Sequence, residues 1–472
     1  MTFASSNFLL YFFPLFLIFY FLSKTVKVKN AVVVAFSLIF YSASAPAFLV
    51  LLIVSIGVNY RLGLGIDERA DDRRRYRLLA WGCVGNLLAL GVFKYTGFLI
   101  ENLNVVLAAA GLHIPVPPIG LPLGISFYSF HAISYLADVA KRKVTANRRF
   151  DQFMLYMSMF PQLVAGPIVR YSTVARQLNE RRATLGRFSA GMRIFVIGLS
   201  WKLLIADQVA PIADYVFDTA HAPSMVVAWI GVYAYAMQIY FDFGGYSAMA
   251  VGLGIMIGFT LPRNFRIPYS ALDVTSFWRR WHMSLSAWLR DYLYIPLGGS
   301  RGTDIQTYRN LWLVFLLCGL WHGAGWTFVI WGAHHGLFLV LERAGLGAVL
   351  RRLPRPIAHL YTLLVVFSGW VWFRANDLHS ALEMFRALVG LNGFDGVPIQ
   401  MRFMLSPVVW AVLLVAGALS LWKWPRFQSI RIFARGTLPY AVVDTAVMSL
   451  LFLVCFVLAR SSSYSPFLYY RF

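Results

Sequence analysis

Apolar runs follow one another from end to end of the chain, separated by short polar and basic stretches. They fall near residues 7–22, 30–43, 47–60, 78–93, 119–138, 152–169, 189–206, 226–241, 246–261, 308–321, 326–341, 357–373, 407–422 and 439–459. A helix that crosses a bilayer needs about 20 mostly apolar residues. Many runs reach or approach that length, and no long polar stretch leaves room for a soluble catalytic domain. The pattern predicts an all-α polytopic membrane protein with roughly ten to twelve crossings. The shorter runs are expected to be tilted, re-entrant or buried among other helices. The first run, Asn7 to Leu22, reads as a retained span, because no basic residue precedes it and Lys24, Lys27 and Lys29 follow it. No linker or fixed-period repeat divides the chain, so a single membrane domain over 1–472 is expected.

Basic residues orient the runs, since cytoplasmic loops carry the excess of Lys and Arg. The loop with Lys24, Lys27 and Lys29, the loop with Arg69, Arg73, Arg74, Arg75 and Arg77, and residues 141–149 are placed inside. The N-terminus and the nearly uncharged stretch from Glu101 to Gly120 are placed outside. Only one apolar run, 152–169, then separates basic loops on either side of it. A re-entrant hairpin resolves the conflict, and Pro161, Gly166 and Pro167 are breakers suited to one.

Composition agrees with a lipid solvent. Apolar residues make up 59% and charged residues 13%, against roughly 45–50% and about 25% in soluble domains. The net charge of +22 sits in loops between apolar runs, where it suits anionic lipid. No basic soluble module accompanies it, so nucleic acid is not an expected partner. Cys83, Cys318 and Cys455 are far apart, each in an apolar stretch. Neither a disulfide framework nor a metal site is expected.

Three segments carry candidate chemistry. In Leu311–Gly336, His322 follows an apolar run and precedes Gly323-Ala324-Gly325, with His334 and His335 further on. A polar side chain at such depth is costly and marks a functional site by default. In its neutral form such a histidine accepts a proton, as a general base must; a buried histidine bonded to a neighbouring helix is the equal alternative. His334 and His335 read as supporting groups. In Thr275–Gly302, a helical wheel places Trp278, Trp281, Leu285, Trp288 and Tyr292 on one stripe. Arg279, Arg280, Ser286, Arg290 and Asp291 lie opposite, with His282 at the border. This predicts an interfacial amphipathic helix with Trp at headgroup depth, and a plain membrane-surface anchor would show the same pattern. In Gln238–Gly254, Asp242 lies in an aromatic, Gly-rich stretch and must pair or face a polar cavity. It either fixes a helix or orients a site group. Asn264, Pro268 and Tyr269 follow in a turn. The P-loop, the nucleophile elbow and the HExxH pattern are absent from the sequence.

Taken in order, LPLGISFYSFHAISYLADV (121–139), FPQLVAGPIVR (160–170), QIYFDFGGYSAMAVGLG (238–254), FWRRWHMSLSAWLRDYLYIPLGGSRG (277–302), CGLWHGAGWTFVIWGAHHG (318–336) and SYSPFLYYRF (463–472) resemble the membrane-bound O-acyltransferase family. The resemblance is strongest to its bacterial branch that acetylates exopolysaccharides such as alginate or cellulose. The motif-bearing core covers about 119–375. The resemblance implies a ring of transmembrane helices, with re-entrant and amphipathic helices, around a central tunnel. It implies His322 as the catalytic histidine and His282 as the second histidine of the branch. Weaker substrate or donor contacts are assigned to Arg279, Arg280, Arg290, Asp242, Asn264 and Trp321. Gly244 and Ala248 stand where relatives usually carry a serine and an aspartate, so this stretch is not expected to supply a second acid.

The expected reaction is O-acetyl transfer from a cytoplasmic thioester donor, acetyl-CoA or a similar compound, with no bound cofactor and no metal. The expected setting is the bacterial inner membrane. The expected partners are membrane lipids, periplasmic Ser-His-Asp acetyltransferase subunits and an exopolysaccharide synthesis complex. Two alternatives stay open at this stage: a non-catalytic transporter of an acetyl carrier or polysaccharide, and an acyltransferase acting on peptidoglycan, teichoic acid or lipid.

Overall fold

Every regular element among the described residues of the computed structural model is helical. It describes residues 1–220, 222–394, 396–422, 438–461 and 467. Of the C-terminal match at 463–472, only Phe467 is described. Six helices among the described residues are long and apolar enough to cross a membrane, and Phe8–Leu22 and Pro407–Leu421 are shorter apolar helices.

The chain gathers into two compact units, residues 1–195 with 249–262, and residues 196–248 with 263–472. The first begins with α1 (Phe8–Leu22), α2 (Val26–Ser42), α3 (Pro46–Glu68), α4 (Asp72–Leu107) and α5 (Ile125–Ala140). Aromatic rings join α1 to α2 and to Phe160: Phe12 meets Phe40 at 5.6 Å and Phe160 at 5.3 Å between centroids. The segment predicted as a re-entrant hairpin is broken into α6 (Phe150–Ser158) and α7 (Phe160–Leu163), followed by irregular backbone. All residues from 155 to 169 are buried. Neither piece is long enough to cross a bilayer, and irregular backbone at membrane depth survives only inside protein. Side chains satisfy it: Phe160 N–H donates to Ser37 Oγ at 3.0 Å, Val169 N–H to His131 Nε2 at 3.1 Å, and Tyr156 O–H to the Val169 carbonyl at 3.0 Å. The unit continues through α8 (Tyr171–Asn179) and the start of α9 (Leu185–Thr219).

In the second unit α9 runs on through two π-helical turns, Trp201–Ala206 and Tyr215–Thr219. The runs 226–241 and 246–261, separate in the hydropathy pattern, are largely one continuous helix, α10 (Met225–Met256). Gly244 and Gly245 do not break it; they let α9 come close. A Cβ on Gly245 would stand 2.6 Å from the Gly198 carbonyl oxygen, and one on Gly244 3.1 Å from the Trp201 ring. Glycine here serves interhelical approach, a role the sequence pattern does not separate from a turn.

The expected amphipathic helix of 275–302 is also corrected. It is two short pieces, α11 (Val274–Trp278) and α12 (Met283–Leu289), joined by a tight turn and followed by the π-helical turn Arg290–Tyr294. Trp278, Trp281, Leu285 and Trp288 are buried in protein rather than laid at a headgroup surface. The helical wheel assumes one continuous helix, and a left-handed residue at His282 (φ 42°, ψ 53°) breaks that assumption.

Next come α13 (Asp304–His322) and α14 (Trp326–Leu341), an antiparallel pair joined by Gly323-Ala324-Gly325. Thr303 begins α13 with a reciprocal cap to Gln306. The pair is drawn together by glycine. A Cβ at Gly319 would lie 2.2 Å from the Phe328 carbonyl oxygen, and one at Gly332 2.4 Å from that of Phe315. α15 (Arg355–Arg374), α16 (Leu378–Leu388), α17 (Pro407–Leu421) and α18 (Leu438–Ser461) complete the unit.

Candidate active site

His322 is the last residue of α13, and the Gly-Ala-Gly turn after it carries the chain straight back along α14. Its ring is buried and edged by aromatic rings: Trp321 at 4.8 Å, Trp331 at 5.0 Å and Phe373 at 5.2 Å between centroids. The His282 ring lies 6.5 Å from that of His322, and 6.2 Å from Trp321. Two histidines forty positions apart in sequence thus share one buried site, together with Trp321.

His282 is fully buried. Phe243 of α10 meets its ring edge-on at 4.7 Å. The described C-terminal residue, Phe467, stacks on Tyr246 at 4.4 Å and reaches Phe243 at 6.1 Å, one ring removed from His282. The left-handed backbone of His282 turns the chain between α11 and α12, and both flanks are tied down. On one side, Met283 N–H donates to the Asn264 carbonyl at 2.9 Å, and Ser284 Oγ donates to Asn264 Oδ1 at 2.6 Å. Arg266 N–H donates to the Arg280 carbonyl at 2.9 Å. On the other, buried Glu342 accepts from Val274 N–H at 2.6 Å, Thr275 N–H at 2.9 Å and Thr275 Oγ at 2.7 Å.

The remaining sequence candidates separate. Asp242 forms an ion pair with Lys202 at 2.7 Å, and Lys202 also reaches Asp207 at 2.7 Å. This is the helix-fixing arrangement, joining α9 to α10. Asn264 holds backbone, and Arg280 donates to Ser270 Oγ at 2.7 Å. Arg290 is exposed and paired with its neighbour Asp291 at 2.6 Å; Arg279 is exposed. His334 bonds the Val365 carbonyl at 2.9 Å and ties α14 to α15. His335 lies fully buried among Trp278 at 5.1 Å and Trp331 at 5.2 Å. The described residues hold no group of three His, Cys, Asp or Glu side chains able to bind a metal.

Sequence reasoning missed two residues. Glu342 follows the apolar run of α14 directly, and an acid at that border was its only signal. Tyr269 was noted only as part of a turn. Its hydroxyl donates to the Ala236 carbonyl at 2.7 Å and accepts from Trp370 Nε1 at 3.1 Å, which links α10, the turn and α15.

Comparison with known proteins places this geometry. Residues 124–372 match the membrane-bound O-acyltransferase family, and both site histidines fall inside the match. The chain is 40% identical to a probable alginate O-acetylase of Azotobacter vinelandii, with 100% of each chain covered. It is 44% identical to the probable alginate O-acetylase of Pseudomonas aeruginosa over 82% of this chain and 75% of that one. It is also 40% identical to a peptidoglycan O-acetyltransferase of Helicobacter pylori, over 76% of this chain and 73% of that one.

Proposed function

The chain belongs to the membrane-bound O-acyltransferase family, and from that premise we propose that it O-acetylates an exopolysaccharide of the alginate type with His322 as general base. It is a multi-pass membrane enzyme, an O-acyltransferase. The observation that carries the reading of the site is the pairing of His322 with His282 inside one aromatic enclosure, at 6.5 Å between rings.

The chemistry follows from that pairing. The donor is a cytoplasmic acyl thioester, acetyl-CoA by chemical economy. An acceptor hydroxyl, or a relay nucleophile, attacks the thioester carbonyl carbon as neutral His322 takes its proton. The C–S bond breaks, the proton passes from the imidazolium to the departing thiolate, and an acetyl ester and a free thiol result. A positioned base contributes roughly 10²–10⁴-fold. His282 orients the acceptor or meets charge that develops on the carbonyl oxygen, where a fixed dipole in a dry site is most effective. Arg279 is exposed and would contact donor phosphate or lipid. The setting is the bacterial inner membrane, where periplasmic Ser-His-Asp acetyltransferase subunits and the polymer synthesis complex complete delivery.

The acceptor is argued from coverage. The alginate relative aligns over 100% of both chains, whereas the peptidoglycan relative aligns over 76% of this one at the same 40% identity. Peptidoglycan is therefore the second reading. Deleting the gene and measuring O-acetyl content of secreted polysaccharide and of peptidoglycan separates them. Loss confined to peptidoglycan would overturn the first reading. Transfer of labelled acetyl by purified protein, absent in His322→Ala at normal abundance, tests the base; undiminished transfer refutes it.

A further inference from the structure

A left-handed backbone at a residue with a Cβ costs free energy, about 1–2 kcal/mol for most side chains, and persists only where its surroundings impose it. Within the described part of the second unit, Ala222, Ile267 and His282 are the non-glycine residues with positive φ. Residues 264–266, just before Ile267, run beside residues 280–284, which contain His282, and the two segments hydrogen-bond each other. Asn264 is the hub. Its main-chain carbonyl receives Met283 N–H at 2.9 Å, and its side-chain oxygen receives Ser284 N–H at 3.3 Å and Ser284 Oγ at 2.6 Å. These are the two residues immediately after His282. Asn264 is itself buried, 1% exposed, so water does not replace the contacts if they are lost. The orientation of the amide is not arbitrary either, because a backbone N–H can only donate and the atom facing it must be the oxygen.

We propose that Asn264 is a positioning residue for His282. It replaces the hydrogen bonds that a continuous helix would have given residues 283 and 284, and so holds His282 in the left-handed turn that presents its ring to His322. Without the side-chain clamp the cheaper backbone is right-handed, which would extend α11 into α12 and swing the imidazole away from the site. The inference rests on the reading of His282 as a group of the acetyl-transfer site; Asn264 acts through it and touches no reacting atom.

The test is a double-mutant cycle on the full-length protein in detergent, with a labelled acetyl thioester as donor and kcat and KM measured separately. Asn264→Ala is expected to lower kcat by about 10–100-fold, the scale of a misplacement near 1 Å, with donor KM within about twofold. In the His282→Ala background the same change is expected to cost nothing further, since coupled residues are non-additive. An Asn264→Ala enzyme with wild-type kcat, or one whose loss adds in full to that of His282→Ala, overturns the positioning role. His282→Ala with wild-type kcat overturns instead the reading on which the proposal rests. Where Asn264→Ala does not accumulate, Ser284→Ala removes the 2.6 Å hydroxyl contact to Asn264 and keeps the Ser284 N–H one; a smaller kcat loss that vanishes in the His282→Ala background is expected, and a loss that persists there overturns the proposal.

Discussion

His131 and His322 are both buried histidines in apolar stretches, one in each compact unit, yet their surroundings differ. His131 accepts Val169 N–H and helps close the irregular backbone after α7. Its ring is committed to holding a loop. His322 has an enclosure of aromatic edges and a second histidine. Hydropathy ranks the two alike. The lesson is that cost of burial marks a histidine as important without saying whether it holds backbone or does chemistry; removing each ring tells the two apart.

Removing each ring sharpens the contrast. His322→Ala is expected to lower acetyl transfer by 10²-fold or more at unchanged abundance, read from labelled-donor turnover. His131→Ala should do the reverse: about 1–3 kcal/mol of stability lost, because Val169 N–H is left buried without its acceptor, with turnover per folded molecule retained. A thermal melt in detergent and a normalised rate check it, and a normal melt with dead chemistry would break the comparison. Gly332→Ala tests how far the site depends on helix contact. A new Cβ 2.4 Å from the Phe315 carbonyl oxygen must push α14 from α13, so overpacking of about 1–3 kcal/mol and a loss of turnover are expected together.

Glu342→Gln probes the far flank of the His282 turn. The amide keeps one acceptor oxygen for the three donors at Val274 and Thr275, so a melt lowered by about 1 kcal/mol and a partial kcat loss are expected, with Glu342→Ala worse on both. The smallest effect belongs to Asp377, the N-cap of α16, whose carboxyl is held below the usual range by hydrogen bonds from Ser380. A depressed carboxylate stabilises the fold above its unfolded pKa and loses that contribution as pH falls through its folded one. Asp377→Asn should therefore flatten the acid side of a pH–stability curve slightly, since solvent screens this exposed group, without changing turnover near neutrality.

Much of the molecule was legible in the chain. The hydrophobic runs located most helices to within a few residues, and Pro161, Gly166 and Pro167 marked the broken segment. His322 and His282 were picked out together. The misreadings share a cause. The stripe of Trp278, Trp281, Leu285 and Trp288 looked interfacial because spacing records a face but not what covers it. Gly244 and Gly245 carried no structural reading because glycine serves close approach and turning alike. Asp242 was assigned two roles until Lys202, forty positions earlier, supplied the partner.

By itself, then, the sequence determined the solvent, the class and the candidate side chains: a membrane protein, an O-acyltransferase, a pair of histidines. These rest on composition, local periodicity and motif, all properties of neighbouring residues. Tertiary structure decided how the histidines meet. The turn at His282 is set by Asn264 and flanked by Glu342, which lie 20 and 68 positions from the residues they bind. Hydrogen bonds over such separations exist only once the chain has folded, so they outweigh the helical preference that any local reading of 275–302 must follow.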